Sequence, residues 1–154
     1  LVLLGAALLW FGWFGFNAGS ELAADGIASL AFINTIAAPA AAVLGWLLIE
    51  RIKEGKATSV GAASGAVAGL VAITPACANL TPMWAIVLGL LAGAVCALAI
   101  ELKFTFGFDD SLDVVGIHLV GGLIGTLFLG FFATDVGLIF SGSFEQLGKQ
   151  AIAA

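Results

Sequence analysis

Residues 83–100 read MWAIVLGLLAGAVCALAI, eighteen positions without one charged side chain. As a helix this run rises about 27 Å, close to the roughly 30 Å hydrocarbon core of a bilayer. A helix on the surface of a soluble domain needs a polar face, and this one has none. Working outward from it, four more stretches have the same character, at about 1–20, 27–49, 58–76 and 112–133. The sequence therefore predicts an all-α membrane protein with five transmembrane helices. The membrane β-barrel, the other spanning solution, requires short alternating segments with polar residues at every second position; the runs here are continuous.

Composition points the same way. Hydrophobic residues make up 62% of the 154 positions and charged residues 10%. Soluble domains carry roughly 45–50% apolar and about 25% charged residues, so the bilayer is the solvent that accommodates this chain. The net charge of −5 is confined to the connections, and no basic patch suggests nucleic acid. Cys77 and Cys96 lie in apolar surroundings and read as packing residues, neither a disulfide pair nor a metal site. The chain opens at Leu1 inside an apolar run and reaches Ala154 as another begins, which reads as part of a longer protein.

The connections are short and unequal in charge. Those after the second and fourth stretches carry Arg51, Lys53, Lys56 and Lys103, and those after the first and third carry no Lys or Arg. The positive-inside rule then starts the first helix in the cytoplasm and ends the fifth outside. After Ala133 a loop of about 17 residues is expected, with Lys149 on the outer side as a mild exception. An odd number of spans beginning inside fits one half of an inverted-repeat transporter. Gly61, Gly65 and Gly69 follow one another at four-residue spacing in the third stretch, a small-residue stripe that lets helices approach closely.

The residues able to carry chemistry are few. His118, the only histidine, lies within the fifth stretch, roughly 12 Å along a helix from Asp110. Gly121, Gly122 and Gly125 follow at i+3, i+4 and i+7, which predicts a narrow face turned into the protein. An ionisable group there is a functional candidate, and a neutral histidine bonding a neighbouring helix is the plain alternative. Neutral imidazole both donates and accepts, which suits a pore. Asp109, Asp110 and Asp113 precede it where acidic residues stabilise a helix N-terminus; Asp110 is also a candidate for supporting the lower end of a pore. In the first stretch Trp13, Phe16 and Ser20 fall at i, i+3 and i+7. They form either an interfacial aromatic belt or a vestibule whose ring faces attract a small cation and whose hydroxyl accepts its hydrogen bond. Thr74-Pro75 closes the third stretch, as a helix end or as polar backbone and hydroxyl beside a cavity. No second His, Cys or carboxylate stands at ligand spacing on the helix of His118, so no metal and no cofactor is expected.

Three blocks in this order, WFGFNAGS (13–20), GLVAITPACA (69–78) and DDSLDVVGIHLVGGLIGTL (109–127), resemble the ammonium transporter family of ammonium transporters, methylammonium permeases and Rhesus proteins, in its bacterial form. The resemblance covers nearly the whole chain. It implies an eleven-helix subunit of a homotrimer in the cell membrane, with this chain as the second inverted repeat, helices six to ten. It implies Phe16 at the outer gate, Ser20 and Trp13 in ammonium recruitment, His118 as the second of two pore histidines, Thr74 lining the pore and Asp110 in its support. The expected activity is transport of ammonium or ammonia and of methylammonium. A PII-type signalling protein would bind a tail beyond this sequence. A Rhesus-type gas channel and an ammonium sensor share the implied fold. An enzyme fits least, because one histidine without a paired nucleophile or metal set makes a poor active site.

Overall fold

A computed structural model describes all residues from Leu1 to Ala154. It is entirely helical: α1 (Val2–Asn17), α2 (Gly26–Glu54), α3 (Ser59–Ile73), α4 (Pro82–Ala99), α5 (Leu102–Phe106), α6 (Val120–Phe132), α7 (Leu138–Ser141) and α8 (Glu145–Ala153). A turn of π-helix at Val115–Leu119 leads into α6. Four segments, Val2–Glu21, Gly26–Glu54, Pro82–Phe106 and Val115–Phe132, are long and apolar enough to cross a membrane. This is a multi-pass membrane protein.

The fifth apolar element, α3, is only 15 residues long, or about 22 Å. It ends at Ile73, short of the expected Ala76, because Pro75 has no N–H to continue the ladder. A short helix is tolerated here because α3 is the most enclosed element, buried at almost every position from Gly65 to Ile73. The irregular backbone that follows is satisfied by protein. Asn34 of α2 donates to the carbonyls of Cys77 (2.9 Å) and Leu80 (2.7 Å), and Thr134 N–H donates to Asn79 (2.8 Å). Non-helical backbone at membrane depth survives only when enclosed in this way.

Small residues set the helix spacing. The α3 glycine stripe lies against α2: a Cβ at Gly69 would fall 2.5 Å from Pro39 Cα, and one at Gly65 2.8 Å from Trp46 Cβ. The α2–α4 contact is as close, with Gly89 and Gly93 backed onto the carbonyls of Ala38 and Ala42. Packing at such short range is the main attraction between helices in lipid, where no hydrophobic drive separates helix from acyl chain.

Side-chain caps fix the ends. Asp25 accepts from the N–H groups of Ile27 and Ala28 at the start of α2. Glu50 takes both the N–H (2.8 Å) and the hydroxyl (2.7 Å) of Thr58, while Thr58 caps α3 through Gly61 N–H. At the same end of the bundle Lys53 pairs with Glu101.

Two expectations are corrected. The connection at 101–111 contains α5, closed by Gly107 in the left-handed region at φ 70°. The loop expected after Ala133 contains α7 and α8 instead. Leu147 of α8 sits against Gly130, where a Cβ would come within 2.9 Å, so α8 folds back onto α6. The run toward Ala154 belongs to α8, which has no buried residue in this chain.

Candidate functional site

The helix end that carries the WFGFNAGS block is held to the bundle by polar groups. Trp13 donates from its indole N–H to the Thr74 hydroxyl at 2.8 Å, and that hydroxyl donates to Leu70 O at 2.7 Å. The structure thereby brings together Trp13 and Thr74, two candidates taken from separate blocks. Phe16 lies beside Trp13 with ring centroids 5.5 Å apart and planes at 53°. The helix then tightens into a 3₁₀ turn, Gly19–Glu21, which places Ser20 above Phe16. The Ser20 hydroxyl bonds the carbonyl of Phe16. A carbonyl can only accept, so the hydroxyl proton is committed there and its lone pairs stay free. Phe16 and Ser20 are exposed, and Trp13 and Thr74 are half-buried.

Asp110 is a cap. Its two carboxylate oxygens accept from the N–H groups of Val114 (2.7 Å), Val115 (2.9 Å) and, at longer range, Gly116 (3.4 Å). The side chain is 9% exposed, and three donors at the head of a helix balance its charge. Asp113 does not cap. It adopts φ 56°, in the left-handed region, and pairs with Lys103 at 2.5 Å. Residues 110–113 form a turn, so the helical rise counted from Asp110 to His118 starts only at Val114.

His118 sits inside the π turn, and here the sequence argument needs correction. In this chain it is exposed, and the tightly packed glycines face elsewhere. A Cβ on Gly125 would fall 2.0 Å from Ala72 O, and Gly121 lies against Val71 and Cys96, both onto α3 and α4; Gly122 faces open space. Gly121 and Gly125, at i+3 and i+7 from His118, do not share its face because a π turn adds a residue to the register. The neighbouring Ile117 is buried in a cluster with Val71 and Cys96, and Trp13 packs against that same cluster. Ile117, next to His118 in the chain, and Trp13 therefore share one apolar layer.

Sequence reasoning missed one arrangement. Pro39 lies within α2 and lacks the N–H that would bond the carbonyl of Thr35. The indole N–H of Trp10 takes that carbonyl at 2.9 Å. Asn17 Nδ2 meets the hydroxyl of the same threonine at 3.0 Å, and that hydroxyl donates to Ala31 O at 2.6 Å. A proline inside an apolar run, with a tryptophan on the preceding span, was the available signal.

Comparison with known proteins agrees with this geometry. The profile of the Ammonium Transporter Family matches residues 1–154. An ammonium transporter of Mycobacterium tuberculosis is 56% identical over 165 residues, covering 99% of this chain and 35% of that protein. One of Bacillus subtilis is 50% identical over 157 residues, covering 97% of this chain and 39% of its own length. Among solved structures, Saccharomyces cerevisiae Mep2 superposes with a TM-score of 0.92 at 39% identity, covering 97% of this chain and 37% of that one. A sensor Amt protein superposes at 0.88 with 37% identity, covering 97% of this chain and 38% of its own. The chain thus spans a little over a third of the length of the relatives it matches. On sequence and on fold, this chain belongs to the ammonium transporter family.

Proposed function

We propose that this chain forms the second inverted repeat of a transporter that passes ammonium or ammonia, and methylammonium, across the cell membrane. The observation that carries the reading is the state of Ser20. Ammonium has only N–H donors, so a site for it must offer acceptors. With its proton on Phe16 O, the Ser20 hydroxyl offers lone pairs alone. The faces of Trp13 and Phe16 stand beside it, and an aromatic face attracts a small cation by about 0.5–2 kcal/mol. The Trp13 N–H, a group that would repel a cation, is turned away to Thr74.

A bare cation is costly to carry through an apolar passage. The ion captured at Ser20 therefore gives up its proton near Phe16 to water at the outer mouth, where both residues are exposed, and crosses as ammonia. His118, and Thr74 through its remaining lone pair, supply hydrogen bonds along the way. Asp110 supports this path by fixing the head of the helix that carries His118. The remainder of the protein, including the first repeat, covers Phe16, Ser20 and His118, each of which stands exposed in this chain. Three such subunits form the homotrimer, and a PII-type protein regulates it through a tail outside this sequence. The role is transport, not catalysis.

Similarity to a sensor Amt protein supports a second reading, in which binding at Ser20 is transmitted without net flux. Uptake of labelled methylammonium by cells lacking their own ammonium transporters and producing the full-length protein decides between the two. Saturable uptake that ammonium inhibits supports transport. Binding of ammonium without uptake supports the sensor.

A further inference from the structure

α1 carries the proposed recruitment groups, yet apolar packing holds it only weakly: its single buried residue is Asn17. Three side chains at i, i+3 and i+7 make a polar stripe along it, and each reaches a different acceptor. Trp10 takes the carbonyl of Thr35, Trp13 the hydroxyl of Thr74, and Asn17 the hydroxyl of Thr35. Thr35 is thus a double receptor, gripped by α1 through both its backbone and its side chain. It is fully buried. Its carbonyl is open to Trp10 because Pro39, four residues on, cannot bond it.

We propose that Trp10, Asn17 and Thr35 are positioning residues that fix the rotation of α1 about its axis, and so determine the affinity of the outer site for its cation. Phe16 precedes Asn17 and Ser20 follows in the 3₁₀ turn; both are exposed at the edge of this stripe, with Phe16 against Trp13. A small rotation of α1 would swing both away from the entering ion. The hydrogen bonds to Thr35 are directional and out of reach of water, whereas sparse apolar contacts tolerate such a rotation. When the grip is lost, only the fraction of molecules with α1 correctly rotated binds the cation, and apparent affinity falls by that fraction. The proposal rests on the recruitment role given to Ser20 and Phe16. It adds that affinity is set from the buried side of the helix, by residues that never touch the ion.

The test uses the full-length transporter and measures the concentration dependence of methylammonium uptake, normalised to folded protein in the membrane. Thr35→Val keeps the shape and removes the hydroxyl; Thr35→Ser keeps the hydroxyl; Trp10→Phe keeps an aromatic ring but removes the indole N–H with part of the ring. With wild-type uptake saturable, Thr35→Val is expected to raise the apparent KM about tenfold with maximal rate within about twofold. Thr35→Ser should lie close to wild type, and Trp10→Phe should shift KM in the same direction as Thr35→Val. A maximal rate that falls with the amount of folded protein at unchanged KM would overturn the proposal, as would a serine variant no better than valine. If Thr35→Val does not assemble, Trp10→Phe decides alone: raised KM supports the grip and unchanged KM refutes it. Absence of uptake by the wild type would refute the transport reading itself, which separates the two failures.

Discussion

The indole of Trp13 and the hydroxyl of Thr74, 61 residues apart in sequence, meet at 2.8 Å and tie the end of α1 to the end of α3. Trp13→Phe keeps a ring for the cation and removes the N–H. Thr74 then loses its donor but keeps its bond to Leu70 O, so about 1 kcal/mol of stability is expected to go. Thr74→Val is worse, because it leaves the Trp13 N–H without a partner, a loss of about 1–3 kcal/mol. Thermal unfolding of the two full-length variants in detergent should rank them in that order.

Asp110 gathers three N–H groups at the head of the helix that carries His118. Asp110→Ala should destabilise the protein by about 0.5–2 kcal/mol, the range for loss of a cap. Asp110→Asn should retain part of that, since an amide oxygen still accepts. Lys103→Ala, by contrast, removes a partly exposed ion pair with Asp113 and should change stability by less than about 1 kcal/mol. Unfolding midpoints of the three variants check the order.

Gly125 leaves no room for a side chain: a Cβ would stand 2.0 Å from Ala72 O and 3.0 Å from Pro75 Cγ. Gly125→Val should abolish assembly, read as loss of a monodisperse peak on size exclusion. Gly148 in α8 has nothing within 4 Å, and Gly148→Ala should be neutral or stabilise α8 by up to about 1 kcal/mol through helix propensity. Equal tolerance at both positions would contradict the close α3–α6 contact.

α8 carries a weak pH dependence of known sign. Lys149, bonded to Glu145 one turn earlier, holds that carboxyl below its ordinary value. A depressed folded-state pKa contributes stability that is present above the unfolded value and is lost as pH falls through the folded one. The protection of the α8 amides, taken relative to their intrinsic exchange rate at each pH, should therefore fall on acidification below the usual carboxylate range. The effect should shrink in high salt, because the pair is exposed.

Much of the fold was legible because lipid imposes one rule on every span. Continuous apolar runs gave the long helices, and the α3 glycines announced close packing. Element ends were less legible: α3 stops before Pro75, and the turn beyond it is held by Asn34 of another helix, a contact the sequence does not announce. α8 escaped notice because a nine-residue helix with two charges and a glycine in its first five residues resembles a loop until Leu147 finds Gly130. At the site, the Trp13, Phe16 and Ser20 stripe could be counted on an ordinary helix. The surroundings of His118 could not, because the π turn breaks the register on which the counting relies. The role of Trp10 depended on a carbonyl set free by Pro39 in the next helix, a relation with no local signature.

The central claim is that His118 takes part in conduction. It is tested most directly in proteoliposomes holding the full-length protein, by measuring ammonium-driven and potassium-driven flux for wild type and His118→Ala. His118→Ala is expected to lose most of its ammonium flux or its discrimination against potassium. Ammonium flux and discrimination both equal to wild type would contradict it.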